Sequence, residues 1–412
     1  MHPATLIFIL TYALISLGEN SPRKLDRPTA ALLGAVLMVM TGALTRAEAV
    51  SALDLSTIAV LFGLMVILAV LKQSGLPTYV ANKALHRCRN PHVLLALVVL
   101  ASGVASAIML NDTVCLLGTP LLLEITSQAG IPATPFLLGL ATGANIGSVM
   151  TITGNPQNII IGHMSGWGWA PFALRMAPIG LICLVIDWCV LSLLYRRALA
   201  HVEIQSQEDH GKPVLHRRTA VKSMSALLCL IGAFFAGFSM DFAAVAAAIL
   251  LLVWLNRPPR ESLSAVDWSL LLFFSGLFVV VEGFVRENRE LLDQAIRSYG
   301  TEIGLGDVVH ISVASVIGSN LFSNVPFVLI VGHWVRQMND PQFVWLLLAL
   351  TSTFAGNLTL FGSVANVIVA QGAQRQAPLK FVDFLKAGIP VTVTTTAAGV
   401  LLLWLFRSFL VL

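Results

Sequence analysis

The sequence is poor in charge. Only 11% of its 412 residues are Asp, Glu, Lys or Arg, whereas 57% are hydrophobic. A soluble domain carries roughly a quarter charged residues, so this composition excludes a soluble globular protein. The alternating pattern of an outer-membrane β-barrel is also missing. What is present is a series of about ten apolar runs, each of ~20 residues and long enough to cross a bilayer as a helix.

Few residues suggest chemistry other than transport. The five cysteines form no CxxC pair and no cysteine–histidine cluster, so neither a zinc site nor a disulfide framework is predicted. The net charge of +4 is small, and a nucleic-acid partner is not expected. The motif GxxxxGK[ST] is absent, so we expect no ATP hydrolysis by the chain itself. A separate ATPase subunit as a partner remains an open alternative. We therefore expect no enzymatic activity, no cofactor and no bound metal.

The apolar runs predict an all-α polytopic membrane protein of about ten transmembrane helices with two re-entrant helical hairpins. The hairpins are predicted at 92–126 and 306–337, and each is followed by a helix with a polar break, at 134–162 and 342–372. The remaining spans are predicted at 4–19, 29–45, 56–72, 172–195, 223–240, 242–255, 267–284 and 383–411.

The basic residues orient these spans. If both hairpins return to the side from which they entered, the loops on one side carry 18 of the 25 Lys and Arg residues, including the clusters RKLDR, HRCR and HRR. Loops rich in Lys and Arg stay in the cytoplasm. A topology in which each hairpin crosses completely would place YRRALA and HRRTAVK outside. We therefore expect both termini outside, in a multi-pass protein of the bacterial inner membrane.

Two halves of the chain align with each other. ASGVASAIMLNDTV (101–114) aligns without a gap to ASVIGSNLFSNVPF (314–327), and TGNPQNIIIG (153–162) aligns to FGSVANVIVA (361–370). In the predicted topology the two halves have opposite orientations, which is the inverted repeat of many secondary transporters. The predicted division is a first half at 1–195, a cytoplasmic linker at 196–222 and a second half at 223–412.

The breaks are candidate binding positions. Unpaired backbone groups in a bilayer cost several kcal/mol each, so an interrupted helix persists only where protein or a water-lined cavity satisfies it. At the first hairpin tip, Asp112 is an ionisable group near the middle of the membrane, with no Lys or Arg nearby in sequence. Such a group is a functional candidate, and we predict that it couples transport to protons. For Asp187, also in mid-span, a structural role and a proton relay both remain open.

The pattern GANIGSVMTITGNPQN, with NDT upstream, resembles the ion transporter superfamily, in the branch of arsenite permeases (ArsB) and NhaD-type Na+/H+ antiporters. The resemblance covers nearly the whole chain. It implies scaffold and transport regions, with the transport region moving as an elevator, and often a homodimer. Related divalent-anion/Na+ symporters carry Ser-Asn-Thr at both hairpin tips, a motif that is incomplete at both tips here.

The resemblance also implies a substrate site built from both halves. The first half supplies residues of hairpin tip and break, namely Asn111, Asp112, Thr113, Gly154, Asn155 and Asn158. The second half supplies Ser323, Asn324, Gly362, Ser363 and Asn366. Residues one or two turns away complete the site, namely Asn145, Thr151, Asn357 and Thr359.

The residue types at these positions favour an uncharged, hydroxylated solute. Arsenite is a neutral trihydroxide at neutral pH, and amides, hydroxyls and backbone groups suit it, whereas a polyanion would gain from an Arg clamp that the motifs lack. We therefore predict efflux of arsenite and antimonite in exchange for protons, with membrane lipid as the surroundings. A Na+/H+ antiporter and an inorganic or carboxylate anion transporter of the same superfamily remain as alternatives.

Overall fold

A computed structural model describes residues 2–17, 25–85, 88, 90–200, 214–290, 293–294 and 303–407. Residues 201–213 of the predicted linker at 196–222 therefore lie outside the described residues. Within them the chain forms twenty α-helices and no strand. The helices are α1 (Pro3–Leu17), α2 (Arg27–Met40), α3 (Arg46–Ser51), α4 (Leu55–Gln73), α5 (Leu76–Leu85), α6 (Pro91–Ile108), α7 (Asn111–Gln128), α8 (Thr134–Ser148), α9 (Pro156–Ser165), α10 (Trp169–Leu194), α11 (Arg196–Leu199), α12 (Arg217–Phe235), α13 (Met240–Leu255), α14 (Pro259–Leu263), α15 (Trp268–Glu287), α16 (Leu305–Phe322), α17 (Asn324–Val335), α18 (Pro341–Ala355), α19 (Val364–Ala373) and α20 (Phe381–Leu405).

The predicted fold class is confirmed. Among the described residues, seven helices are long and apolar enough to cross a membrane, namely α4, α6, α10, α12, α15, α16 and α20, and six shorter helices are also apolar. One predicted span was misplaced: the span set at 223–240 begins at Arg217 and ends at Phe235. The helix extends into a basic segment because Arg and Lys stems lie along apolar surface while their charges reach water.

Both hairpins turn sharply at their predicted tips. Helix α6 ends at Ile108 and α7 begins at Asn111, while α16 ends at Phe322 and α17 begins at Asn324. The two broken helices are also present. Helices α8 and α9 are separated by residues 149–155, which include a short 3-10 turn, Ile152–Gly154, and α18 and α19 are separated by residues 356–363.

The packing of these helices repeats between the halves. The first hairpin packs α6 on α8 and α7 on α19, and the second hairpin packs α16 on α18 and α17 on α9. Each hairpin thus contacts the first part of its own broken helix and the second part of the other. Long helices α10 and α20 lie against α8 and α18 and against each other. We call this group, α6–α10 with α16–α20, the hairpin bundle.

A second group of helices flanks the bundle. Helix α2 packs on α1 and α15, and α4 packs on α12 and α13. We call these six helices, α1, α2, α4, α12, α13 and α15, the frame. The frame meets the bundle where α4 contacts α9 and α15 contacts α17. The two groups correspond to the scaffold and transport regions that the family resemblance implies.

Glycine allows the closest helix approach in the first half. A Cβ atom added to Gly147 of α8 would lie 2.1 Å from the carbonyl oxygen of Gly103 in α6. Such an approach leaves no space for a side chain, and it brings the break after α8 against the first hairpin.

We predict that Gly147→Ala destabilises the protein by roughly 1–3 kcal/mol, because overpacking forces the backbones of α6 and α8 apart. Thermal unfolding of the purified protein measures the change. Gly232→Ala in α12 is the matched control, since an added Cβ there meets nothing within 4 Å, and alanine favours a helix. Equal unfolding temperatures for the two variants would contradict the proposed contact.

Candidate functional site

The two hairpin tips and the two breaks meet at one small pocket of about 30 Å³. It lies between the hairpin bundle and helix α15 of the frame. Five predicted site residues line it, namely Asn111, Asp112, Ser323, Asn324 and Ser363, together with six that were not predicted, namely Pro156, Gln157, Phe273, Phe274, Val325 and Val364. Gln157 belongs to the quoted NPQN motif and was within reach of sequence reasoning. The two phenylalanines carry no local signal, because only the packing of α15 brings them here.

Four helices begin at the pocket. The first residues of α7, α9, α17 and α19 lie on its wall or one residue from it. The first turn of a helix presents N–H groups without intrahelical partners and the positive end of the helix dipole. Asn155 caps α9 by accepting the N–H of Asn158 at 2.8 Å, but α7, α17 and α19 have no side-chain cap. Backbone donors at these three helix starts can therefore serve a bound solute.

Acceptors without donors complement these N–H groups. The side-chain oxygens Oδ1 of Asn111 and Asn324 are buried and have no hydrogen-bond partner among the described residues. The two residues occupy equivalent positions at the two hairpin tips, so the repeat places one free acceptor on each side of the pocket. A buried polar group without a partner costs about 1–3 kcal/mol. A solute that donates hydrogen bonds would satisfy both oxygens.

An asparagine holds each break open in the same way. The Nδ2 group of Asn158 donates to the carbonyl oxygens of Ser148 (3.2 Å) and Thr151 (3.0 Å). The Nδ2 group of Asn366 donates to those of Gly356 (2.7 Å) and Thr359 (3.0 Å). In both cases the acceptors lie ten and seven residues earlier in the chain. These asparagines hold the backbone of the break rather than line the pocket.

Asn145 connects the two halves. Its Nδ2 group donates to Oδ1 of Asn357 (2.8 Å) and of Asn366 (3.0 Å), and its Oδ1 accepts from Asn111 (3.0 Å) and from Ser363 (3.1 Å). The side chain is 1% exposed. A single amide thus joins the first hairpin tip to the second break. Its four polar contacts leave it no capacity to bind a solute directly.

The remaining predicted residues support the loops. Thr151 donates to the carbonyl of Ala107 (2.6 Å), and Thr359 donates to Oδ1 of Asn320 (3.0 Å). These two hydrogen bonds connect each break to the hairpin of its own half. Cβ atoms added to the two break glycines would lie 2.1 Å from the carbonyl oxygen of Ser148 at Gly154 and 2.9 Å from Oδ1 of Asn320 at Gly362.

Three other predicted site residues do not line the pocket. Asn155 donates to Ser148 Oγ (2.7 Å) and caps α9, and Asn357 donates to the carbonyl of Thr142 (3.4 Å). Thr113 is half-buried on α7 and is not part of the pocket wall.

Asp112 is the one ionisable residue among the residues that line the pocket. It is half-buried, and two distant charges act on it electrostatically: Arg27 at the start of α2 and Asp267, the residue before α15. Sequence spacing gave no indication of either neighbour, since both belong to the frame. The carboxyl therefore sits where bundle and frame meet.

The second hairpin tip is strained. Ser323, which lines the pocket, has a φ of 71°, a left-handed conformation that disfavours residues with a side chain. Such conformations cost roughly 1–3 kcal/mol and persist where the surroundings impose them. The first tip has no residue of this kind, so the two tips differ in backbone conformation.

A second cavity of about 290 Å³ lies further along α9 and α17, on the predicted outer side. Two histidine–carboxylate pairs line it: His163 Nδ1 is 3.1 Å from Asp54 Oδ2, and His333 Nε2 is 3.6 Å from Glu282 Oε2. In each pair the histidine belongs to the bundle and the carboxylate to the frame. Burial favours a raised pKa for Asp54, but hydrogen bonds from His163 and Thr57 outweigh it, and its pKa is lowered.

Comparison with known proteins places this architecture among transporters. The family described as citrate transporter, CitMHS, matches residues 12–351. The chain is 32% identical to the silicon efflux transporter LSI3 of Oryza sativa subsp. japonica, covering 91% of this chain and 92% of that protein. It is 25% identical to a transporter named arsB in Dictyostelium discoideum, covering 96% of this chain and 91% of that protein.

A solved structure has the same fold. The YdaH transporter of Alcanivorax borkumensis superposes with a TM-score of 0.59 over 99% of both chains, at 15% sequence identity. At this identity the likeness concerns the fold alone.

We predict that Asn158→Ala and Asn366→Ala lower stability by similar amounts, about 1–3 kcal/mol or more each, because both leave two carbonyls without their buried donor. Thermal unfolding in detergent measures both, and Gln128→Ala, at the exposed end of α7, is the control. A stability loss in one variant only would contradict the equivalence of the two breaks.

We predict that Asp54→Asn destabilises the protein at pH 6 by up to about 1 kcal/mol, a value typical of partly exposed ion pairs. Asparagine caps a helix as well as aspartate, so the change isolates the charge on α4. A carboxyl with a lowered pKa contributes stability above its unfolded pKa of about 3.9 and loses it as the pH falls further. The difference from wild type should therefore shrink between pH 6 and pH 3 in thermal unfolding, and a constant difference would contradict the pairing.

Proposed function

The chain belongs to the citrate transporter family (CitMHS) of the ion transporter superfamily, and on this premise we propose that it exports arsenite and antimonite in exchange for protons. It is a multi-pass secondary transporter and not an enzyme. The family resemblance seen in the sequence is thereby confirmed. The substrate, the coupling ion and the direction of transport are the content of the proposal.

The observation that carries the proposal is that the pocket offers both hydrogen-bond acceptors and hydrogen-bond donors, with Asp112 as the one ionisable residue of its wall. Free acceptors come from Asn111 and Asn324, and free backbone donors come from three helix starts. No Lys or Arg is among the residues that line the pocket. An uncharged hydroxide both donates through its O–H groups and accepts through its oxygens, so it can satisfy both sets at once.

The size of the pocket supports a small solute. A cavity of about 30 Å³ has room for about two water-sized groups, which suits a solute of a few heavy atoms better than a large one. A tricarboxylate would need a larger space, and the bidentate Arg–carboxylate pairs that bind such anions strongly are missing from the pocket wall. The two phenylalanines of α15 form an apolar wall that gives no such partner. Citrate, from which the family takes its name, is therefore not our choice.

Two relatives support the same class of solute. The rice protein is named a silicon efflux transporter, and the Dictyostelium protein carries the name arsB. Silicic acid and arsenite are both small, uncharged hydroxides at neutral pH. We therefore extend the proposal to neutral metalloid hydroxides as a class, with arsenite and antimonite first and silicic acid as a further substrate to test.

Asp112 is the proposed proton carrier. It is the ionisable residue of the pocket wall. It follows Asn111 as the second residue of α7, the second helix of the first hairpin. Protonation of Asp112 and occupation of the pocket by the solute would exclude each other if the carboxylate accepts a hydrogen bond from the solute. This competition is the simplest basis for exchange of one against the other.

The interface between bundle and frame is the proposed place of movement. The pocket and the outer cavity both lie along it, and α9 and α17 of the bundle form one of its faces. An elevator movement of the bundle against the frame would carry the pocket between the two sides of the membrane. A homodimer through the frame, a bacterial inner-membrane location and a separate ATPase subunit belong to the same set of expectations.

A Na+/H+ antiporter is the second candidate, because the pocket also has the oxygens that a hard cation prefers. The carboxylate of Asp112 and the free oxygens of Asn111 and Asn324 all border it. Na+ binding would not need the backbone donors of the helix starts, which is why we place it second.

We predict that arsenite, antimonite or silicic acid raises the unfolding temperature of the purified protein, whereas citrate leaves it unchanged. A ligand that binds the folded state stabilises it by RT ln(1 + [L]/Kd), about 2.7 kcal/mol at a hundredfold excess over Kd. Stabilisation by Na+ alone would overturn the proposal in favour of the antiporter.

In proteoliposomes, Asp112→Asn should retain solute counterflow. Its proton-driven accumulation ratio should fall by at least about tenfold for a gradient of one pH unit, because at least one proton fewer is exchanged per solute. Glu124→Gln, an exposed carboxyl on the same helix α7, is the control and should behave as wild type. Full proton-driven accumulation in Asp112→Asn would remove the role assigned to this residue.

A further inference from the structure

A second carboxyl is buried in the hairpin bundle away from the pocket. Asp187 of α10 is 0% exposed. Its Oδ2 accepts a hydrogen bond from Thr142 Oγ1 of α8 at 2.9 Å, and its Oδ1 has no partner in the part of the chain that the structure describes. Among the described residues, Asp187 acts electrostatically on the thiol of Cys183, one turn earlier on α10, and no titratable group acts on Asp187 in return. An isolated carboxylate anion is costly in such surroundings, so the unpartnered oxygen is a place for a proton.

Hydrogen bonds connect Asp187 to the pocket by way of Thr142, whose hydroxyl contacts Asp187 and whose backbone carbonyl contacts Asn357. The carbonyl of Thr142 accepts from Nδ2 of Asn357 at 3.4 Å, and Oδ1 of Asn357 accepts from Asn145 at 2.8 Å. Asn145 in turn accepts from Asn111 at 3.0 Å, beside Asp112. The same Asn145 contacts Ser363 and Asn366 of the second break. Thr142 is therefore linked to both hairpin tip and break through its backbone carbonyl and the side chains of Asn357 and Asn145.

The second half of the chain shows that the fold does not require this polar pair. Pro178 lies inside α10 and Pro390 inside α20, and the residues nine positions later are Asp187 and Gly399. Thr142 and Leu350 likewise lie twelve residues before the two break glycines. A Cβ on Gly399 would lie 2.8 Å from the side chain of Leu350. The repeat thus packs the equivalent position with an apolar leucine against a glycine.

We propose that Asp187 is a second proton-binding residue of the transport cycle, connected to the solute pocket through Thr142, Asn357 and Asn145. The proposal rests on proton exchange as the proposed function. A proton taken from water on one side of the membrane forms the O–H bond at Oδ1 of Asp187, and the same bond breaks to release it on the other side. If only the first half binds this proton, only the first half needs the polar pair. This explains why Thr142 and Asp187 occupy the positions that Leu350 and Gly399 have in the second half.

The test compares wild type with Asp187→Asn, which keeps the size and the acceptor for Thr142 but cannot exchange a proton. In proteoliposomes the variant should retain solute counterflow, while its accumulation ratio falls by about tenfold for a gradient of one pH unit, because one proton fewer is exchanged. The double variant with Asp112→Asn should lose proton-driven accumulation entirely. An unchanged accumulation ratio in Asp187→Asn would overturn the proposal.

Infrared spectroscopy gives a readout that needs no substrate. The wild-type spectrum minus that of Asp187→Asn should contain the C=O stretching band of a protonated carboxyl, and its absence at all pH values would count against the proposal. If Asp187→Asn does not fold, the variant with Thr142→Leu and Asp187→Gly copies the second half and provides the same comparison. Loss of counterflow in that folded variant would assign Asp187 a structural role instead.

Failure of the proposed function is a separate result. If the wild-type protein exchanges Na+ rather than metalloid hydroxides for protons, the substrate assignment is wrong. The number of protons exchanged per Na+ in wild type and in Asp187→Asn would then still decide the role of Asp187.

Discussion

The structure depends on one constraint, which is that backbone polar groups in a membrane must find partners within the protein. Two spanning helices stop near the middle of the bundle, and each leaves carbonyl groups behind. Asn158 and Asn366 supply donors to these carbonyls at the same spacing in both halves. Side chains satisfy these carbonyls, and the N–H groups at the uncapped starts of α7, α17 and α19 are available to a solute, whereas Asn155 caps α9.

This division of labour explains the roles of the asparagines. Those inside the breaks hold the backbone, Asn145 joins the halves, and Asn111 and Asn324 at the tips keep an oxygen free. The pocket is consequently polar without being charged, apart from Asp112. The inverted repeat supplies this arrangement twice, but the two carboxyls, Asp112 and Asp187, occur in the first half only. The second half has Val325 and Gly399 at the equivalent positions, so geometry is shared between the halves while proton chemistry is assigned to one.

Much of the fold was open to prediction from local signals. Hydrophobic runs place the spans, Asn-Pro and Ser-Asn segments mark the breaks and tips, and the gapless alignment of the halves matches the repeated contacts of Asn158 and Asn366. The site was harder to predict from the sequence. Phe273 and Phe274 line it from the frame and Arg27 acts on Asp112 electrostatically, and these positions depend on how frame and bundle pack. Thr113 is next to two pocket residues in sequence yet is not part of the wall, because helical geometry turns successive side chains to different faces.

The sequence by itself determined the membrane class, the two hairpins, the two breaks and the candidate asparagines, since each follows from composition or from spacing along one segment. The tertiary structure alone decided which asparagine binds backbone, which joins the halves and which keeps an unpaired oxygen. It also decided that Thr142 contacts Asp187 across two helices. The physical reason is that a hydrogen bond depends on distance and direction between atoms, and residues far apart in the chain acquire these only when their helices pack.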